Sequence, residues 1–179
     1  MYKRENITKM CSFYVSDVHL VTMTLPYLAK KLEKGNVIYP ILEKNLTPII
    51  TKLLNKITLS EELKEEIKNI GWDTKIQYKY SEMEKELNQT WKNQKNIYFI
   101  IMGSEKFIKR NQMQIRKYVE AKKRKENVFF IDCYEVTEGM QEITEILENH
   151  DKVLNTSGEK DKEEVFGKMG EKKNKEIAE

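Results

Sequence analysis

Apolar residues follow two rhythms along this chain. In one, short unbroken runs carry apolar side chains on both faces: Met10 to Val15, "NVIYPILE" (Asn36 to Glu43), Ile97 to Met102 and "NVFFIDCYEV" (Asn127 to Val136). Such runs predict strands covered on both sides, as in a parallel sheet. In the other, apolar residues recur every third or fourth position. Val18, Val21, Leu25, Leu28 and Leu32 share one helical face, and Leu46, Ile49, Ile50, Leu53, Leu54 and Ile57 share another. Leu63, Ile67 and Ile70, then Met83, Leu87 and Trp91, predict two further helices. A long helix is expected from Ser104 to about Lys125, and one more around Met140, Ile143, Ile146 and Leu147. "KVLNTS" (Lys152 to Ser157) predicts a last short strand.

Strands alternating with helices imply an α/β fold in three layers. The expectation is a mostly parallel sheet of four to five strands with helices on both faces. Punctuation supports these boundaries. Ser16 or Asp17 can cap the first helix, Gly35 stops it, and Pro26 should kink it or mark an offset start. Pro40 lacks a ladder donor, which puts the second strand at an edge or gives it a bulge. Thr47-Pro48 reads as a hydroxyl cap followed by proline at the first helical position. "TKIQYKY" reads as a short exposed strand or an extended connection. Ser81 with Glu84 forms a capping box. Residues 1–158 read as one α/β domain, and 159–179 as a charged C-terminal helix or frayed tail.

Composition narrows the chemistry. The chain has 179 residues, 39% hydrophobic and 34% charged, with a net charge of +3. That is a globular chain with a heavily charged surface and no overall demand for an acidic partner. The basic charge is almost all lysine, against the arginine-rich pattern of nucleic-acid readers. Cys11 and Cys133 lie in apolar runs and read as buried free thiols. No Cys/His cluster has zinc spacing. The polar start has no secretory core, and no apolar run approaches the ~20 residues that span a membrane. A cytoplasmic protein is expected, with no membrane contact.

In parallel sheets ligands bind beyond the carboxyl ends of the strands. That rule selects a candidate rim: Ser16, Asp17, His19, Glu43, Gly103, Ser104, Asp132 and Tyr134. Gly103-Ser104 opens a helix, where backbone amides can hold an anion. However, Glu105 places a negative charge in that first turn, which favours a plain turn with a serine cap. G-x-x-x-x-G-K-[ST] and G-x-G-x-x-G are both absent. An Asp17–His19 acid-base pair, with Cys133 or Ser104 as nucleophile, lacks any supporting motif such as G-x-S-x-G. No catalytic residue, metal or cofactor is assigned. Asp132 sits where magnesium-binding aspartates lie in phosphoryl-transfer enzymes, but without a phosphate cradle it reads as a hydrogen-bonded turn carboxylate. Lys106, Lys109, Arg110, Arg116, Lys117, Lys122, Lys123 and Arg124 form a candidate basic patch. With no interleaved aromatic platform, a solvated helix face is favoured over a nucleic-acid site.

The stretch "CSFYVSDVHLVTMTLPYLAKKLEKGNVIYPILEKN" resembles the opening of the MEDS (DcmR-type) sensory domains. Those belong to the RecA-like, P-loop superfold and lack the phosphate loop. "HDKVLNTSGEKDKEEVFGKM" is similar to the last strand and helix of small P-loop kinases, with Asn155, Thr156 and Ser157 at the strand end. The resemblances imply a RecA-like sandwich, and the first implies a sensory or regulatory domain. The leading expectation is therefore a non-catalytic sensing or partner-binding domain whose partner is another protein or a small ligand. A divergent nucleotide-dependent enzyme and a nucleic-acid accessory protein are the alternatives.

Overall fold

A computed structural model describes residues 6–75, 79–137 and 142–165. Its centre is a six-stranded sheet in the order β2-β3-β4-β1-β5-β6. The strands are β1 (Ile7–Tyr14), β2 (Val37–Leu42), β3 (Ile97–Met102), β4 (Val128–Glu135), β5 (Lys152–Asn155) and β6 (Gly158–Asp161). All pairings are parallel except β5 with β6. The helices are α1 (Asp17–Glu33), α2 (Thr47–Leu54), α3 (Glu61–Asn69), α4 (Tyr80–Thr90), α5 (Glu105–Ala121) and α6 (Ile143–Glu148).

Alternation along each strand divides the core in two. Met10, Ile38, Ile100 and Ile131 face α1, α2 and α3. Cys11, Ile41, Phe99, Phe130 and Val153 face α4, α5 and α6. Every residue of β3 is buried, as its unbroken apolar run requires. Fully burying a phenylalanine such as Phe99 or Phe130 contributes about 1.5 to 3 kcal/mol.

The three-layer α/β expectation is correct, with six strands in place of four to five. The added strand is β6, which follows a turn at Thr156-Ser157 and pairs Asn155 with Gly158. Its mixed-charge sequence carries no strand periodicity, so only pairing with β5 reveals it. Pro40 does lie in an edge strand: among the named strands β2 pairs with β3 alone, and its outer side meets the chain in an isolated bridge from Leu42 to Thr74. Pro26 sits inside the continuous helix α1.

Two helix starts differ from the sequence reading. Thr47 is the first residue of α2 rather than its cap; the Asn45 side chain accepts its amide hydrogen bond at 2.9 Å. The box at α4 uses Glu82, whose carboxylate accepts from the Lys79 amide at 3.1 Å, in place of Ser81 and Glu84. Ile76 to Tyr78 of "TKIQYKY", Met140 and the chain beyond Val165 lie outside the described residues, while Thr74 forms an isolated parallel bridge with Leu42.

The faces also set the binding geometry. The carboxyl end of β1 feeds α1 on one face, while the adjacent β4 leads to α6 on the other. The strand-end residues Tyr14, Tyr134 and Glu135 line a cleft at this edge, the edge where ligands bind in open parallel sheets.

Candidate functional site at the carboxyl edge

The Gly103-Ser104 turn does hold an anion, and the anion is the protein's own. Ser104 is extended and caps α5, its hydroxyl accepting from the Phe107 amide at 3.2 Å. The Ser104 amide donates to Glu43 Oε2 at 2.9 Å, and its hydroxyl donates to Glu43 Oε1 at 3.2 Å. Glu43 is placed there because its amide continues the β2–β3 ladder onto Met102 O at 2.9 Å. A carboxylate thus occupies the helix start where a phosphate could otherwise sit. Gly103 is required by this approach: a Cβ would lie 2.7 Å from Glu43 Oε2 and 2.7 Å from Phe107 Cδ1.

Around this turn lies a cleft of about 420 Å³. Tyr14 and Tyr134 contribute aromatic wall, and Glu43, Glu105, Glu135 and Glu142 make it acidic. Lys44 is the one basic side chain lining it among the described residues, and Lys44 lies 3.4 Å from Glu135 and 3.7 Å from Asp17. Of the predicted rim, Glu43, Gly103, Ser104 and Tyr134 line the cleft, with Asp17 beside it. Ser16 caps α1 through the His19 amide at 3.1 Å. His19 closes the same turn, its Nδ1 accepting from the Val15 amide at 3.1 Å. Neither Ser16 nor His19 lines the cleft.

Asp132 is not a turn carboxylate. It stands inside β4, fully buried, with Gln112 Nε2 donating to its Oδ2. His150 Nε2 lies 2.7 Å from the same oxygen, and His150 Nδ1 lies 2.5 Å from the Ile146 carbonyl. Both ring nitrogens face oxygens, so the imidazole bridges the Asp132 carboxylate and the Ile146 carbonyl. Asp132 Oδ1 is buried with no partner among the described residues. The neighbouring recess, of about 270 Å³, includes Lys9, Lys109, Gln112, Tyr134 and His150. Burial lowers the Lys9 ammonium below its ordinary range, with Asp132 partly opposing.

Nucleophilic roles find no support here. Burial pushes the Cys11 thiol up to about 12, and Asp132 adds to it. Cys133 is raised by the same causes, and both thiols are free and buried, as expected. Thiolate formation is suppressed at both. Among the described residues, no group of three or more His, Cys, Asp and Glu could hold a metal ion. No helix among them is long and apolar enough to cross a membrane.

Sequence reasoning passed over His150, Gln112, Tyr14 and Glu142. Gln112 and His150 reach Asp132 from α5 and from the end of α6, and no spacing in the chain announces that meeting. Tyr14 was legible as the last apolar residue of β1, and only the missing polar motif kept it off the rim.

The candidate basic patch is dispersed. Lys109 pairs with Glu105 at 2.7 Å and Lys122 with Glu84 at 3.0 Å. Arg110, Arg116 and Lys117 lie over Phe107, Phe130 and Tyr80. Lys109 lines the recess beside Asp132, whereas Lys122, Lys123 and Arg124 at the C-terminal end of α5 join a separate recess at the opposite edge of the sheet. No family model, curated protein or solved structure matches this chain.

Proposed function

We propose that the protein is a non-catalytic cytoplasmic sensing or partner-binding domain of the RecA-like type. Its carboxyl-edge cleft receives a basic group, an amine or guanidinium, from a small ligand or a protein partner. The observation that carries this reading is the Glu43 carboxylate seated on the Ser104 amide and hydroxyl. The position is already filled by negative charge, and the wall around it adds three more carboxylates, Glu105, Glu135 and Glu142. A phosphate would have to displace Glu43 and sit among these acids, whereas a cation gains from them. Tyr14 and Tyr134 are buried and form the floor of the cleft, so the attraction for a cation comes from the carboxylates. The resemblance to the MEDS sensory domains, which lack the phosphate loop, points the same way. Fold analogy alone would not decide it.

The test follows backbone amide resonances during titration. Arginine amide should move those of Gly103, Tyr134 and Glu135, and Glu135→Gln with Glu142→Gln should weaken the effect. ATP with magnesium should leave Gly103 and Ser104 unmoved. Movement of those two amides by ATP, with none by arginine amide, would replace this reading with the nucleotide-enzyme alternative.

A further inference from the structure

We propose that the recess at the amino edge of the sheet, between the C-terminal ends of α4 and α5, binds a small polyphosphate. The recess measures about 690 Å³, within the usual ~300 to 1,000 Å³ of small-ligand sites. Its donors come from two segments that are distant in sequence. α5 ends in a turn where the Lys123 amide donates to Glu120 O at 3.1 Å and the Arg124 amide to Val119 O at 3.0 Å. This is the Schellman arrangement, with Lys123 at φ 51° where glycine is usual. The turn folds Arg124 back over Trp91, 4.0 Å from the ring centroid. Arg124 then donates to the carbonyls of Trp91 and Lys92, each at 3.2 Å, and to Asn93 Oδ1 at 3.0 Å.

Those bonds leave the recess rich in donors. The Asn88 and Asn93 amide oxygens are taken, by the Tyr118 hydroxyl at 2.9 Å and by Arg124. Their NH₂ groups have no partner among the described residues. The Arg124 side chain is 10% exposed, and its Nε is buried with no acceptor. Lys92, Lys123 and Lys125 line the same recess, are exposed, and form no ion pair among the described residues. The nearby acids are already engaged. Glu126 lies 3.2 Å from Arg124 and accepts from the Gln94 and Lys125 amides, each at 3.0 Å. Glu84 is held by Lys122 at 3.0 Å.

Lysine ammonium groups with amide donors suit a compact multivalent oxyanion. The charges converge on one recess instead of running along a groove. Trp91 and Tyr118 are 2% and 1% exposed, so no aromatic platform is open for base stacking. These features favour a di- or triphosphate over a nucleic-acid strand.

The full chain is titrated with sodium tripolyphosphate at low salt, read by calorimetry and by amide resonances. Saturable one-site binding that moves Lys92 to Gln94 and Lys122 to Lys125 is expected. Replacing Lys92→Gln together with Lys125→Gln should weaken it about tenfold. The pair Lys109→Gln and Lys117→Gln, elsewhere on α5, should leave affinity unchanged. Lys92→Arg with Lys125→Arg keeps the charge and should retain binding, which separates lost contacts from a damaged fold. The proposal is overturned by absence of saturable binding, by equal losses in both glutamine pairs, or by loss in the arginine pair. It is also overturned if shifts map to Gly103 and Ser104, or if single-stranded RNA competes with an affinity that grows with length.

Discussion

The two ends of α5 answer the helix dipole in opposite ways. At the N-terminus, Glu43 arrives from the end of β2 and accepts from the Ser104 amide. At the C-terminus, Lys122 to Lys125 and Lys92 gather positive charge. Each sign suits its end of the dipole. The difference lies in what remains available. The N-terminal end is closed by an internal carboxylate, so the sheet's usual anion position is spent. The C-terminal end keeps Lys92, Lys123 and Lys125 without an ion pair among the described residues, together with amide donors, around an open recess. In this fold, the edge where ligands usually bind is acidic, and the opposite edge offers the cationic recess.

The largest expected effect lies beneath the carboxyl edge. His150→Ala removes one of the two hydrogen-bond partners of a buried carboxylate and leaves Asp132 with Gln112 alone. Stability should fall by about 3 kcal/mol, the upper end for leaving a buried acceptor short of a partner. Urea unfolding measures it. A loss under about 1 kcal/mol would mean that Asp132 finds another partner and that the network does not anchor this edge.

Next comes the close approach at Gly103. Gly103→Ala should cost about 1 to 3 kcal/mol, since its Cβ would press on Glu43 and Phe107. Part of that cost should disappear in a Glu43→Ala background, because one of the two crowded neighbours is gone. A double-mutant cycle reports this coupling. Strict additivity would show that Glu43 does not fill the turn in solution, and would reopen the helix start to anions.

The smallest effect belongs to the amino edge. Arg124→Lys keeps the charge but loses the planar fork that bonds two carbonyls and an amide oxygen. A loss of about 1 to 2 kcal/mol is expected from thermal or urea melts. No loss at all would mean that Arg124 does not organise the recess.

How much of this was legible in the sequence varies with the range of the interaction. Local rules placed the strands: Phe13, Ile38, Phe99 and Phe130 all lie in parallel strands, as their two-faced runs indicate. The Ser16 and Ser104 caps were readable because a cap involves residues three apart. The Thr47 and Ser81 readings missed, because Asn45 and Glu82 offered competing local acceptors. Asp132 read as a strand-end residue because hydrophobic pattern cannot show whether an acid in an apolar run is buried. Gln112 and His150 decide that, and they approach from other elements.

The sequence by itself determined the α/β class, the alternation of strands and helices, and the absence of a phosphate-loop motif. Those properties rest on periodicity and on contiguous residues, which the chain displays in order. The tertiary structure alone decided the strand order, the added β6 and the occupation of the Ser104 turn by Glu43, 61 residues away. It also joined Lys92 to the end of α5. The physical reason is that charge and hydrogen bonding act through space over a few ångströms. The partners they select need not be close along the chain.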